Sequence, residues 1–596
     1  MIISSSPSEH IPITTFSDLD VHKITENLED INVLGRSTTN ANGITADWTA
    51  SGIEFKASYT GAVKVSAVLD SNKSITFRAF VDGEETGDIT FTSSDIPVEI
   101  PGATNASTTE RTIRLVRIPY VKDGAITLSN VCMNGEFLEW NEERPFIEFV
   151  GDSITCGYGS TSNDSFMDGT NTFAYLTAEE FNADYSMVAI SGIGVTASNS
   201  QHGSNGMSDF YKYTNYYRDS STLYSTSRKA SLVVVNLNTN DIYNNATEDA
   251  YKADLKALIS DIRAIHGESV NIVWIIGHMR PLDSDVNVWM AEVFEELGNE
   301  GLYIVETEQN NEGGASHPNY ASHQQTAETL ISFINEKELL VSNVKLMSFN
   351  VLNGWGTYDI GNRDDLAADT ILEYTPDVIG FQEFDDYYRN ATGTALTSLI
   401  SEKYAEVGAD EESWNPIFYN VDTVAPVYYG FESYTEGTES VNYPLGTSEF
   451  RTYTWVVFED IETRKQFLVF NTHLDTDSTK QPSQCAELTA KITELMTQYG
   501  ISNVFLLGDL NSNTSSDTAT TLFDFGFTDT HAIAVTKDDL GTFASDVGVA
   551  ITTTYASAID HVYCIGKRIT VSEYKTVTDI RDSSDHCPIC VTLKVK

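Results

Sequence analysis

From residue 20 to about 143, apolar and polar positions alternate with a period of two. Val63, Val65, Ala67 and Leu69 interleave with Lys64, Ser66 and Val68, and Ile75, Phe77, Ala79 and Val81 repeat the pattern up to an Asp82-Gly83 turn. "RTIRLVRIPYV" and "AITLSNVCM" continue it, and no helical period interrupts the run. Such alternation gives each strand one core-facing and one water-facing side, so residues 1–145 read as a β-sandwich.

The pattern changes at Phe146. Short apolar runs ("FIEFV", "YSMVAIS", "SLVVVNL", "NIVWIIG", "GLYIVET") are separated by helical stretches such as "EDAYKADLKALISDIRAIHG", ending in "ASHQQTAETLISFINEKELL". Strands buried on both faces and alternating with helices predict a doubly wound parallel sheet, an α/β/α unit over 146–341. From "NVKLMSFNVLNGWG" to the end, 342–596, strands ("VIGFQEF", "RTYTWVVFED", "QFLVFNTHLD", "NVFLLGDLN", "IDHVYCI", "CPICVTLKV") mix with a few helices.

Composition narrows the class. A chain of 596 residues exceeds one hydrophobic core, and 41% apolar with 20% charged residues is ordinary globular material. The formal net charge of −50 argues for solubility, and against gripping polyanions or anionic membranes by bulk electrostatics. Six cysteines do not make a disulfide framework; Cys587 and Cys590 stand at the head of an apolar run and read as strand burial rather than redox or zinc chemistry. No apolar run reaches the roughly 18 residues of a membrane span. "MIISSSPSEH" lacks the form of a signal peptide. The chain is expected to be secreted with its leader removed, a cytoplasmic location being the alternative.

In a parallel sheet ligands bind beyond the carboxyl ends of the strands. Ser153 in "FVGDSITCGYGS" follows the first strand, Gly192 a second, Asn240 and Asp241 a third, and His317 in "GGASHPNYASH" the last. A nucleophile, a base and oxyanion donors on one edge are what acyl transfer requires. A turn serine is the plainer reading of Ser153, but three matching blocks follow it in order. Cys156 reads as a buried filler, Asp152 and Asp241 as loop braces, and His323 as a helix-surface or capping residue.

This set resembles the SGNH (GDSL-type) hydrolases, and with a β-sandwich in front it is similar to the family-2 carbohydrate esterases, which join a jelly roll to an SGNH domain. The resemblance covers about residues 25–335. It implies metal-free deacetylation of plant polysaccharides or their oligosaccharides, with Ser153 as nucleophile and His317 as base. It gives the oxyanion to the Ser153 and Gly192 backbone N–H groups and the Asn240 side chain. Two positions depart from the pattern: Asn238 replaces a glycine, and Ala315 stands where an aspartate usually orients the histidine. A backbone carbonyl, or Glu312, Asp283 or Asp285, is left to do that.

The last domain places Asn350, Glu383, His473, Asp509, Asn511, Asp560, Asp585 and His586 at strand ends. So many oxygen ligands suit Mg²⁺ or Mn²⁺, and histidines beside acids suit general acid–base work on phosphate esters. The ordered set resembles the endonuclease/exonuclease/phosphatase superfamily, the DNase I-like fold. That resemblance implies a four-layer α/β sandwich and a metal-dependent phosphodiesterase or phosphatase. It also implies that Asn350, Glu383, Asp509 and Asp585 stand at the metal, and that Asp509 and Asn511 position the attacking water. His473 and the His586–Asp560 pair would then serve the phosphoryl group and leaving oxygen. Arg451 reads as a phosphate contact or a solvated surface arginine. Without a basic track, nucleic acid is not the favoured phosphoester partner.

Three functions compete: a bifunctional acetylesterase and phosphoesterase, an esterase joined to a nuclease, and a non-catalytic glycan-binding scaffold.

Overall fold

A computed structural model describes residues 19–595 apart from 72, 141–143, 162–165, 197–201, 203–204, 217–222, 227, 355–359, 391–394, 409–412, 440–448, 545, 567 and 579–581. Residues 1–18, on which the leader expectation rests, lie outside the described residues. The chain forms two compact units that divide between Leu339 and Leu340.

The first unit begins with a nine-stranded antiparallel sheet and, among the described residues, no α-helix before Phe173. Its backbone is three long strands, Gly52–Leu69, Val98–Arg117 and Ile126–Leu138, paired with bulges that let one strand bend. The alternation holds: Val63, Val65, Ala67, Ile75, Phe77, Ala79 and Val81 all lie in one core with Phe55, Phe91 and Leu128. Asp82 (φ 53°) and Gly83 (φ 84°) make the tight hairpin between Ile75–Val81 and Glu84–Phe91, where left-handed backbone is required.

A five-stranded sheet follows in the order Asp184–Ala189, Phe146–Gly151, Leu232–Asn236, Asn271–Ile276, Leu302–Glu306, with all neighbours parallel. On one face Val150, Val188, Val233 and Trp274 gather with Leu255, Ile259, Met290 and Phe294 from helices Glu248–His266 and Asp285–Glu296. On the other, Phe149 meets Phe173 of helix Phe173–Glu180, and Tyr303 meets Phe333 of helix Tyr320–Glu336. No helix among the described residues is long and apolar enough to cross a membrane.

The second unit has a seven-stranded and a six-stranded sheet. Leu346, Val378 and Val591 of the first share a core with Val456, Val469 and Phe505 of the second. Alternate residues face away from it. Met347 and Phe381 pack on Ile371 of helix Ile360–Tyr374, while Phe470 and Leu506 pack on Leu488 and Ile492 of helix Gln481–Tyr499.

One buried ionic group ties the first parallel strand to the preceding sheet. Glu148 and Arg36 are both fully buried and bind bidentately, Nε–Oε1 3.0 Å and Nη2–Oε2 2.9 Å. Tyr211 OH donates to Glu148 Oε2 at 2.6 Å, and His266 Nε2 lies 2.9 Å from the same oxygen. Burial pushes the Glu148 carboxyl up, but Arg36 and His266 outweigh it and hold it well below the usual carboxylate range. Removing one partner strands the other charge in a dry site, at a cost of about 3–5 kcal/mol. Arg36→Met is therefore expected to lower unfolding stability by that amount in denaturant melts of the first unit. A depressed folded-state pKa stabilises above the unfolded value, so the Glu148 contribution should fade on acidification below about pH 4.3.

Candidate functional site

Ser153 sits just past strand Phe146–Gly151 in a turn built by its own residues. Asp152 Oδ1 accepts from Ile154 N (2.9 Å), Cys156 N donates to Asp152 O (3.1 Å) and Tyr158 N to Ser153 O (3.0 Å). Any side chain at Gly159 (φ 74°) would strike Gly314 O, so this glycine lets the serine loop touch the histidine loop. Gly314 N then donates to Gly159 O at 2.9 Å. Ser153 Oγ and His317 Nε2 are 2.8 Å apart.

The orienting group is a backbone carbonyl. His317 Nδ1 lies 3.1 Å from Ala315 O, with Ala315 (φ 51°) and Ser316 (φ 61°) both in left-handed conformation. Glu312 instead accepts from Asn319 Nδ2 at 3.3 Å. With Nδ1–H donated to that carbonyl, Nε2 is free to accept the serine proton. Burial lowers the His317 pKa, partly opposed by the carbonyl, so the neutral form is favoured. The Tyr158 ring stands edge-on to the imidazole at 4.7 Å, a contact nothing in the sequence marks beyond proximity to Ser153.

The remaining predicted residues converge on the same loops. Asn238 takes φ 74°, the left-handed backbone that its glycine-like position requires, and Tyr251 OH donates to its Oδ1 at 2.6 Å. Asn240 Nδ2 donates to Ile193 O (2.8 Å) and Asp152 Oδ2 (3.0 Å), so both its protons face protein acceptors. Gly192 has φ 82°. Asp241 accepts from Val195 N and Thr196 N at 2.8 and 3.0 Å, and is a brace. Burial raises Asp152 to about 7 and Asp241 to about 6. Cys156 is buried, as are Cys587 and Cys590. His323 is not on the helix surface: it is fully buried, and its Nδ1 accepts from Phe173 N at 3.3 Å, capping a neighbouring helix start.

In the second unit strand register does the assembling. His473 pairs with Asp509 and Asp509 with Asp560 across adjacent strands, and Asn350 aligns with Gln382, one residue before Glu383. Asn350 Nδ2 bridges Glu383 Oε1 (3.2 Å) and Asp509 Oδ2 (3.0 Å), so both carboxylates face one place. His473 Nε2 and His586 Nε2 lie 3.5 and 3.8 Å from Asp509 Oδ2. Asp560 Oδ2 holds His586 Nδ1 at 2.8 Å. Asn511 (φ 48°) donates its amide to Leu474 O and its backbone N–H to Asp509 Oδ1, both at 2.9 Å.

Charge crowding dominates this pocket. Asp509 is raised by burial and by Asp560, against His473 and His586. Burial would discharge His586, but Asp560 and the other acids outweigh it and raise its pKa to about 10. Glu383 stays below its usual range despite burial, through His473 and the Asn353 N–H. Asn353, three residues after Asn350, also gives its side chain to Glu383 Oε2 and escaped the sequence reading, as did Phe543, whose ring lies 4.9 Å from that of His586. Arg451 is no solvated surface residue, being 7% exposed.

A divalent cation fits this donor set. Asp509, Asp560 and His586 present ligand atoms within 4.8 Å of one another. The buried Oδ1 atoms of Asp560 and Asp585 have no hydrogen-bond partner. An imidazolium cannot ligate, so carboxylate and amide oxygens are the better ligands here and His586 the better anion donor.

Comparison with known proteins identifies two domain families. Residues 149–325 match the model of the GDSL-like Lipase/Acylhydrolase family and residues 347–586 that of the Endonuclease/Exonuclease/phosphatase family, so two stretches of the chain are similar to two different families. It is 33% identical over 210 residues to the cellulase/esterase CelE of Acetivibrio thermocellus, a match spanning 32% of this chain and 25% of that protein. It is 28% identical over 215 residues to an acetylxylan esterase / glucomannan deacetylase of Cellvibrio japonicus, spanning 32% of this chain and 59% of that one. Among solved structures, a family two carbohydrate esterase from Clostridium thermocellum in complex with cellohexaose aligns at 25% identity and TM-score 0.47, covering 52% of this chain and 99% of that chain. A mannosyl-6-phosphatase from Bacteroides thetaiotaomicron aligns at 22% identity and TM-score 0.36, covering 42% and 99%.

The two histidines should titrate in opposite directions from the ordinary value of about 6.5. In ¹⁵N-imidazole NMR, His317 is expected to lose its proton below that value and His586 far above it, near 10. Asp560→Asn should bring the His586 midpoint down by more than one unit, whereas an unchanged midpoint would remove the pair's electrostatic role.

Proposed function

We propose that this chain is a two-site hydrolase, a serine acetylesterase acting on acetylated plant polysaccharides or oligosaccharides, joined to a metal-dependent phosphoesterase. The observation that carries the reading is the 2.8 Å contact between Ser153 Oγ and His317 Nε2 on the edge where a parallel sheet binds ligands. The acetyl-polysaccharide substrate is supported by the name of one curated relative, an acetylxylan esterase / glucomannan deacetylase, and an esterase activity by that of the other. On this reading the leading sheet is the esterase's jelly roll, the middle sheet is doubly wound, and the two-sheet unit is a four-layer sandwich.

In the esterase, His317 Nε2 takes the Ser153 proton as Oγ attacks the acetyl carbonyl carbon. The oxygen that becomes negative is received by the Ser153 and Gly192 N–H groups and by Asn240. The amide of Asn240 reaches it by releasing or sharing the N–H that it donates to Ile193 O. The tetrahedral centre collapses, the C–O bond to the sugar breaks, and His317 returns the proton to the leaving hydroxyl. Water, deprotonated by His317, then attacks the acetyl carbon, the bond from that carbon to Ser153 Oγ breaks, His317 returns the proton to Oγ, and acetate leaves. The Ala315 carbonyl fixes the imidazole tautomer but stabilises the imidazolium less than an aspartate would, where a lost carboxylate costs up to about 10⁴ in rate.

In the second site Glu383, Asn350, Asp509 and Asp585 would hold Mg²⁺ or Mn²⁺, which when bound neutralises charge on the phosphoryl oxygens. His586, kept protonated by Asp560, donates to a phosphoryl oxygen. Asp509 and Asn511 orient the attacking water, and His473 stands ready to protonate the leaving oxygen. The acidity of the chain favours a small phosphoester, such as a sugar phosphate, over nucleic acid.

Acetate release from p-nitrophenyl acetate and acetylated xylan should vanish in Ser153→Ala and fall about 10²–10³-fold in kcat in Asn240→Ala. Equal inertness of wild type and Ser153→Ala would overturn the esterase half. EDTA and His586→Ala should each abolish phosphoester hydrolysis, the variant by about 10²–10⁴-fold, while leaving acetate release intact. Metal-independent phosphoester hydrolysis would overturn the other half.

A further inference from the structure

Arg280 is placed unlike the other described arginines of the first unit. Arg36, Arg78, Arg114, Arg144 and Arg228 each have a carboxylate partner. In a chain with 86 Asp and Glu against 36 Lys and Arg that is the expected state. Arg280 has no carboxylate or carbonyl acceptor for its side chain among the described residues, and its buried Nε has no hydrogen-bond partner. Its guanidinium lies instead over the ring of Tyr243, 5.1 Å from the centroid, and that tyrosine is 66% exposed.

The position is the rim of the esterase site. Tyr243 ends the short helix Thr239–Tyr243 that carries Asn240. The loop holding Arg280 leaves the strand Asn271–Ile276, which lies between the strand before Asn240 and the strand before the His317 loop. That loop is fastened on the His317 side as well. Asn310 N donates to His278 O (2.7 Å), Gln309 Nε2 to Met279 O (3.1 Å), and Asn319 N, two residues past His317, to Asn310 Oδ1 (3.3 Å). Below it, His278 Nε2 meets Thr326 Oγ1 at 2.6 Å. Arg280 is thus a cation on a braced loop between two of the groups that handle the ester.

We propose that Arg280 and Tyr243 form a recognition subsite for an anionic group, a uronate carboxylate or a sugar phosphate, on a sugar close to the acetylated one. This deepens the acetylesterase reading and rests on it. A guanidinium stacked on an aromatic ring keeps its planar fork oriented, and the fork matches a carboxylate or phosphate through two parallel N–H···O bonds. The open part of the Tyr243 ring offers an apolar platform to a pyranose face. In a molecule of charge −50, an anionic substrate is repelled at long range, so an acid-free cation at the rim is where such a substrate gains its contact.

The test uses the full chain and pairs of substrates that differ only in charge. Acetylated xylo-oligosaccharides with and without a glucuronate branch form one arm, and acetylated mannose with and without a 6-phosphate the other, all in EDTA so that the second site leaves the phosphate in place. Wild type should prefer the anionic member of at least one pair, and the arm in which it does so names the anion. Arg280→Gln should erase that preference, about ten- to a hundred-fold in kcat/KM and mostly through KM, while the neutral substrates change less than two- to three-fold. Arg280→Lys should keep part of it, and salt should shrink it.

Binding of the deacetylated oligosaccharides, followed by calorimetry in Ser153→Ala with and without Arg280→Gln, gives a readout independent of turnover. The anionic ligand should bind more tightly only when Arg280 is present. No preference in either arm, or equal loss on charged and neutral ligands, would overturn the subsite. Loss of acetate release alone, with the Arg280-dependent binding difference intact, would overturn the esterase reading and leave the anion site standing.

Discussion

A single hydrogen bond, 2.8 Å between Ser153 Oγ and His317 Nε2, joins two segments 164 residues apart, and the proposed acyl chemistry of the first unit depends on it. It exists because parallel strands deliver every following loop to one edge of a sheet. Phe146–Gly151 sits near the middle, flanked by Asp184–Ala189 and Leu232–Asn236, so the loops carrying Ser153, Gly192 and Asn240 are neighbours by register alone. The histidine arrives from the far strand and is brought in by Gly159, where only hydrogen fits between the serine loop and Gly314 O. Asn240, bonded to Asp152 and Ile193 O, fastens the three loops together.

The second site relies on opposite physics. The Ser153 pocket keeps the His317 imidazole neutral by burial, whereas the second pocket concentrates buried acids and holds His586 charged among them. Asp560 and Asp585 each have a carboxylate oxygen shut away from water with no partner, a costly state that a bound cation relieves. Both pockets lie at strand ends, where the backbone supplies rigidity and the side chains are free to be polar.

Much of this was legible in the sequence. Period-two alternation located the leading strands, because Val63, Val65 and Ala67 do face one core, and the Asp82-Gly83 pair fell on the hairpin turn. Strand-end positions brought the candidate residues together, since Ser153, Asn350, Glu383 and Asp509 stand where loops leave strands and His317 lies in the loop that follows the strand Leu302–Glu306. The sequence left a backbone carbonyl as one of several groups that could orient His317, but not which one, because a carbonyl can be supplied by any residue type and it is the left-handed turn at Ala315 and Ser316 that aims it. His323 and Arg451 were misplaced in part for a related reason. A single polar residue carries no sign of burial, and His323 is buried because it caps a distant helix through Phe173 N. Arg280 stayed silent too, as its isolation from acids is a property of space rather than of spacing.

The central claim, that Ser153 is a nucleophile activated by His317, is tested most directly by covalent trapping. Intact-mass and peptide mass spectrometry after treatment with diethyl p-nitrophenyl phosphate should show one diethylphosphoryl group, located on Ser153 and absent from His317→Ala. Labelling that occurs elsewhere, or that is equally fast without the imidazole at 317, would contradict it.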